Sequence, residues 1–264
     1  MSFLDLLSHY SVLTLMALFA VAFTAGFIDA VVGGGGLIQL PAMLITFPDA
    51  PLPTLFGTNK TSAVAGTAVA AFQYARRVKF EFVLLIIVSV CALASSYAGA
   101  KAVSAINVMA LKPVILVILI LIAVYTYFKK DLGAAQTKQL PLRRKIIFGS
   151  LIGLSVGFYD GFFGPGTGSF FVLGFVVLMG YEFVTASAYA KILNCMTNIA
   201  ALFVFLRQGN YMLPIAIVMG VANITGSIVG SRTALRRGNG FIRKVFLIIV
   251  ALMILRYGYD VFWG

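Results

Sequence analysis

Long apolar stretches separated by short polar loops run along the whole chain. Several have the roughly 20 residues that a spanning helix needs, namely Ser11–Val32, Phe80–Val103, Met109–Phe128, Ile146–Phe163, Tyr211–Ser231 and Phe241–Trp263. Thr61–Ala75 and Ala186–Leu206 are also apolar, although they carry polar residues. This pattern predicts an all-α polytopic membrane protein.

Two apolar pieces, Leu37–Phe47 and Ser169–Met179, are too short to cross a bilayer by themselves. The glycines that precede each piece could lengthen it. If both are re-entrant, each half of the chain has four crossings and the halves run parallel. If both cross, each half has five crossings and the second half is inverted.

A shift of 131 residues brings the chain into register with itself without a gap. The shift matches Gly26 with Gly157, Asp29 with Asp160, Lys60 with Lys191 and Arg76 with Arg207. We therefore expect two tandem homologous halves, residues 1–131 and residues 132–264.

Composition restricts the class of protein further, with 61% hydrophobic and 11% charged residues. The net charge of +12 would suggest nucleic-acid binding in a soluble protein. Here the basic residues lie in short loops between apolar stretches, so contact with lipid headgroups and control of topology explain them better. We expect membrane lipids and no nucleic acid as partners.

The basic loops also decide between four and five crossings per half. The clusters Arg76–Lys79, Lys129–Lys145 and Arg232–Lys244 fall on one side only if each half crosses five times. The sequence thus predicts ten segments in inverted halves, both termini outside and a cytoplasmic linker.

Each half contains a glycine-rich point at which a helix should break, Gly33–Gly36 and Gly164–Gly168. Glycine allows positive φ, and Pro165 lacks an N–H donor. A short helix that starts after a break offers free N–H groups and a positive dipole end to an anion. Close helix packing is the alternative role for these glycines. The anion-site interpretation assigns substrate contacts to Gly33, Gly34, Gly35, Gly36, Gly164, Gly166, Thr167 and Gly168.

The run Ala25–Gly36, the segment Gly57–Ser62 and the second-half run Gly157–Gly168 resemble the sulfite exporter TauE/SafE family, also called the toluenesulfonate uptake permease family. The resemblance covers essentially the whole chain. It implies a multi-pass inner-membrane transporter of sulfur-containing anions, such as sulfite or small organosulfonates, without a bound cofactor. It does not select one substrate.

Lysines inside membrane segments are costly unless a partner accepts them, which marks Lys60 and Lys191 as candidate anion contacts. Lys60 opens its predicted segment, so snorkelling to the interface is its alternative role. Uncharged polar residues near these lysines differ between the halves and could define an asymmetric ligand site or bond neighbouring helices. They are Gln39, Asn59, Thr61, Gln73, Asn194 and Asn198.

Asp29 and Asp160 each precede a break by four residues. Such a carboxylate could exchange protons and couple transport to a proton gradient. It could equally cap the short helix or pair with a lysine, and repulsion of an anionic ligand favours this structural role.

These features predict a secondary transporter that moves a small sulfur-containing anion by alternating access. An anion channel on the same scaffold is the alternative. We expect no enzyme, since no nucleophile and base are paired and the cysteines, Cys91 and Cys195, are isolated in apolar segments. No cofactor and no metal site are expected.

Overall fold

A computed structural model describes residues 11–102 and 132–262, together with residues 116, 120, 124, 126 and 128. In this part the chain forms helices and no strand. The helices are α1 (Val12–Val32), α2 (Gly36–Thr46), α3 (Leu52–Ala75), α4 (Phe82–Ala102), α5 (Leu142–Phe162), α6 (Thr167–Met179), α7 (Phe183–Arg207) and α8 (Leu213–Phe262).

The helices follow one another at the same spacing in the two halves. The starts of α1 to α4 and of α5 to α8 are 130 or 131 residues apart. The last predicted segment is Phe241–Trp263, and its described part, which ends at Phe262, forms the second arm of α8, because Gly238 interrupts that helix with a φ of 68°. The predicted segment Met109–Phe128 lies, apart from single residues, outside the described part of the chain.

Among the described residues, five helices are long and apolar enough to cross a membrane, which confirms a polytopic membrane protein. They are α1, α4, α5, α7 and α8. Their outer faces are apolar at helical spacing, as Val83, Ile86 and Val90 of α4 illustrate. The short helices α2 and α6 contain 11 and 13 residues.

The start of α3 corrects one boundary. The predicted segment Thr61–Ala75 begins instead at Leu52, directly after Pro51, so Lys60 lies two turns inside the helix and does not open it. Polar residues at the start of this segment join the helix because Thr58 and Thr61 donate hydroxyl hydrogen bonds to carbonyls one turn earlier. The second-half segment likewise begins before Ala186, at Phe183.

The first helix of each half packs along the fourth helix of the other half. A Cβ at Gly26 of α1 would lie 2.2 Å from the Asn223 carbonyl oxygen of α8, and one at Gly157 of α5 would meet Ala92 of α4. Gly230 meets Phe27 in the first pair, and Gly99 meets Phe158 in the second. The residues in these four contacts are thus matched between the two interfaces by the shift of 131 positions. In both interfaces the paired helices run parallel.

Helices α3 and α7 occupy equivalent places in the two halves and run antiparallel to each other. Lys60 contacts Asn198 near the middle of the pair, while Arg76 and Val184 line one cleft at its end. Arg77, Arg232 and Arg236 line the same cleft. We call this the basic end of the molecule.

The opposite end of the molecule carries two basic residues that lie outside the three basic clusters of the sequence. Lys101 lies over the ring of Tyr97, and Arg207 lies over the ring of Phe203. These two rings are 6.5 Å apart, which brings both cations to one place. The repeat matches Arg76 with Arg207, and these two equivalent residues lie at opposite ends of the molecule.

Candidate functional site

The two glycine-rich breaks meet at the centre of the molecule. Helix α1 ends at Val32 and α2 starts at Gly36, while α5 ends at Phe162 and α6 starts at Thr167. These positions confirm the predicted breaks. A Cβ on Gly33, which has a φ of 83°, would lie 2.3 Å from Gly168, so glycine is needed for this close crossing.

A small central cavity lies beside the crossing. About 30 Å³ of it is open to the centre of a water-sized sphere, which is room for about two waters. The starts of α2 and α6 both border the cavity, so two helix N-termini point their positive dipole ends towards one space. The bordering residues from the breaks are Gly34, Gly35, Gly36, Gly164, Gly166, Thr167 and Gly168.

Lys60 is the cation at this cavity. Its Nζ lies 2.7 Å from Oδ2 of Asp160 and donates a hydrogen bond of 2.9 Å to Oδ1 of Asn198. A Cβ on Gly164 would lie 3.3 Å from the same Nζ, which brings the second break within reach of the ammonium group. Lys60 and Asp160 are both buried and both border the cavity.

Lys191, the repeat partner of Lys60, lies elsewhere. It is fully buried, donates to the backbone carbonyl of Asp29, and lies 3.5 Å from Oδ2 of the same residue. Thr67 donates a 3.3 Å hydrogen bond to that carboxylate oxygen. Asp29 borders the cavity, whereas Lys191 is behind it. Each lysine therefore pairs with the aspartate of the opposite half.

Uncharged amides complete the cavity wall. Asn223 of α8 donates to Oε1 of Gln39 at 3.2 Å, and Gln39 donates through Nε2 to the Ser62 hydroxyl. Asn59 also borders the cavity, and its buried Oδ1 has no hydrogen-bond partner among the described residues. Asn194 borders it from α7. These groups provide both donors and acceptors next to Lys60.

Four of the predicted site residues do not border the cavity. Gly33 forms the crossing, Lys191 is sealed behind it, and Thr61 bonds back within its own helix. Gln73 lies in the cleft at the basic end. Gln39, one of the polar residues that differ between the halves, borders the cavity. Conversely, Ala63, Thr67 and Asn223 also border it, although the sequence analysis does not assign them to a site. An amide inside the apolar segment Tyr211–Ser231 is the signal that could have identified Asn223.

A comparison with known proteins gives the family. The profile described as sulfite exporter TauE/SafE matches residues 18–257. The chain belongs to the sulfite exporter TauE/SafE family. A TauE/SafE protein of this kind is a multi-pass transporter of the bacterial inner membrane and not an enzyme.

The names of similar proteins agree with this membership. The chain is 38% identical to the probable membrane transporter protein ORF9 of a Sinorhizobium species, over 90% of both chains. It is 34% identical to a probable membrane transporter protein of Haemophilus influenzae, over 94% of this chain and 96% of the relative. It is 35% identical to the probable membrane transporter protein YfcA of Escherichia coli K12, over 95% and 91%. No solved structure matches the chain significantly.

Proposed function

We propose that this TauE/SafE protein is a secondary transporter that moves a small sulfur-containing anion, such as sulfite or a sulfonate, by alternating access. The observation that carries this proposal is the buried Lys60 ammonium at a cavity bordered by two helix N-termini. Fixed positive charge, N–H donors and neutral amides together suit a compact oxyanion. The family name supports sulfur oxyanions as the substrate class.

The carboxylate of Asp160 has a defined role in this mechanism. Its Oδ2 lies 2.7 Å from Nζ of Lys60, at the place where an anionic substrate would otherwise bind. An arriving anion and the carboxylate compete for one ammonium group, because two negative charges beside it repel each other. Protonation of Asp160 removes the competitor and would couple anion binding to proton uptake. Asp29 is already held by Lys191 and Thr67, which suits a structural role.

The packing of the helices supports inverted halves with five crossings each. Equivalent helices α3 and α7 are antiparallel, and equivalent residues Arg76 and Arg207 lie at opposite ends. Two basic clusters that four crossings would separate line one cleft. The positive-inside rule then orients the basic end towards the cytoplasm. Reporter fusions after Lys244 and at the C-terminus should report cytoplasmic and external locations respectively, and any other result contradicts the orientation.

The small cavity favours a carrier over an anion channel. Tyr74 lies two turns beyond Thr67 on α3, is fully buried, and donates to the Ala30 carbonyl, so it fills the space between α1 and α3 on that side. An anion must therefore wait for the halves to move before it passes. A carrier predicts saturable flux, whereas a channel conducts much faster than conformational cycling allows.

Flux into proteoliposomes tests the proposal directly. Purified protein is assayed with sulfite, sulfate, thiosulfate, taurine and sulfoacetate, each with and without a pH gradient. We expect saturable uptake of at least one sulfur anion, accelerated by an inward proton gradient and lost in Lys60→Gln. Unsaturable flux contradicts the carrier, and full flux in Lys60→Gln removes the proposed site.

A further inference from the structure

A second cleft lies at the basic end, between the outer sides of α3 and α8. Its volume is about 1150 Å³, far larger than the central cavity. Arg76 and Arg77 border it from the end of α3, and Arg232 and Arg236 border it from α8. All four side chains are exposed, so their guanidinium groups are accessible from outside the protein.

The wall above the arginines is apolar. Phe72 and Val69 line it on α3, and Ile228 and Leu235 line it on α8. The Phe72 side chain is 63% exposed, and the guanidinium of Arg76 lies 5.6 Å from its ring centre. The cleft therefore has an apolar part along the helices and a strongly basic part at their ends.

The positive charge of the cleft is uncompensated within the described residues. None of its four arginines has a carboxylate at ion-pair distance there; the ion pairs found in that part of the chain belong to Lys60, Lys145 and Lys191. Four neighbouring cations without a counter-ion repel one another and favour an external anion.

The cleft is separate from the transport cavity. Thr67 and Asn223 border the cavity from the inner faces of α3 and α8, while Phe72, Arg76 and Arg232 face outwards on the same helices. The buried Tyr74 fills the inner face of α3 at the level of the cleft. An anion in the cleft would thus contact the outside of the protein and not the transport path.

We propose that this cleft binds an anionic phospholipid, with the headgroup phosphate on Arg76, Arg77, Arg232 and Arg236. Guanidinium groups match phosphate oxygens in paired hydrogen bonds, and basic pockets between membrane helices suit such headgroups. The acyl chains lie against the exposed ring of Phe72 and the half-buried side chain of Ile228 in the same groove. One bound lipid would join the end of α3 to the first arm of α8, and hence one half of the chain to the other.

Native mass spectrometry of the intact protein in detergent tests this site, with added phosphatidylglycerol as the probe and phosphatidylcholine as the neutral comparison. The test variant is Arg76→Gln with Arg232→Gln. The matched control is Arg143→Gln with Arg144→Gln, which removes two exposed arginines from the first turn of α5. Thermal unfolding in each lipid shows that all variants fold.

We expect wild type and control to retain phosphatidylglycerol over phosphatidylcholine, and the test variant to lose affinity by about fivefold per arginine removed. Equal losses in both double variants would show a general effect of charge and overturn the site. An equal preference for both lipids in wild type overturns it as well. Displacement of the lipid by millimolar inorganic phosphate or sulfite would assign the cleft to a soluble oxyanion instead. Because no arm measures flux, the result is independent of the transport proposal.

Discussion

The two buried ion pairs are related by the repeat, yet they differ in what surrounds them. Lys60 and Asp160 lie 2.7 Å apart and both border the central cavity, whereas Lys191 and Asp29 lie 3.5 Å apart and only Asp29 borders it. Lys191 makes a further contact to a backbone carbonyl, which fixes it to the end of α1. One lysine is therefore accessible to a ligand, and the other ties two helices together.

The neighbours of each lysine account for this difference. Asn59 precedes Lys60 and borders the cavity, while its repeat partner Ala190 is fully buried beside Lys191. Asn198 accepts a hydrogen bond from Lys60, and its partner Thr67 instead donates to Asp29. The two lysines and the two aspartates are thus the same in both halves. The uncharged neighbours differ between the lysine that faces the cavity and the lysine that does not.

The largest effect is expected from Lys191→Gln. It leaves Asp29 without its cation in a buried place, so the free energy of unfolding should fall by about 3–5 kcal/mol. Chemical unfolding in detergent measures it. Lys191→Gln with Asp29→Asn is the matched control and should recover most of the loss, because no lone charge remains. Wild-type stability in the single variant would show that this pair does not hold the helices.

Lys60→Gln should weaken anion binding and, like Lys191→Gln, it leaves a buried carboxylate, that of Asp160, without its cation. A charge-assisted hydrogen bond contributes about 1.5–3 kcal/mol, so anion affinity should weaken by about 10–100-fold. The KM of flux and equilibrium binding measure this loss. Lys60→Gln with Asp160→Asn excludes a folding artefact, because it removes both charges together. An unchanged KM in either variant would reverse the assignment of the two lysines.

Asp160→Asn removes the carboxylate that pairs with Lys60 and so tests the other member of this ion pair. Removing the competing carboxylate should tighten anion binding by about tenfold, because close charge pairs are coupled by at least about 1.5 kcal/mol. The acceleration of flux by an inward proton gradient should also disappear in the variant, because the proposed coupling carboxylate is gone. Asp29→Asn is the control and should not tighten binding. Retained acceleration by the gradient in Asp160→Asn would assign proton coupling to another group.

The smallest effect is expected from Gln73→Val, which introduces the residue type found at the equivalent position Val204. Gln73 lies in the basic cleft and not at the cavity, so anion KM should change by less than about twofold. A larger change would connect the cleft with the transport path and weaken the separation of the two sites.

Sequence patterns predict the apolar helices and the breaks well, because length, hydropathy and glycine runs are local properties. The same patterns predict only that Asp29 could pair with a lysine and do not indicate which one. They miss Asn223, since a polar residue inside an apolar helix gives no sign of the direction in which it points. The predicted start of α3, Thr61, is also wrong, since the helix starts at Leu52. In sequence, hydroxyl residues that donate hydrogen bonds to carbonyls of their own helix resemble a polar loop.

Each buried lysine pairs with the aspartate of the other half, and this has a consequence for the order in which the partners are synthesised. Asp29 and Lys191 are separated by 162 residues, and a ribosome adds about 5–20 residues per second. The first helix therefore waits about 8–32 s for its counter-ion to be made. During that time Asp29 lacks the cation with which it pairs in the folded protein. The second aspartate has no such delay, since Lys60 is already present when Asp160 is synthesised.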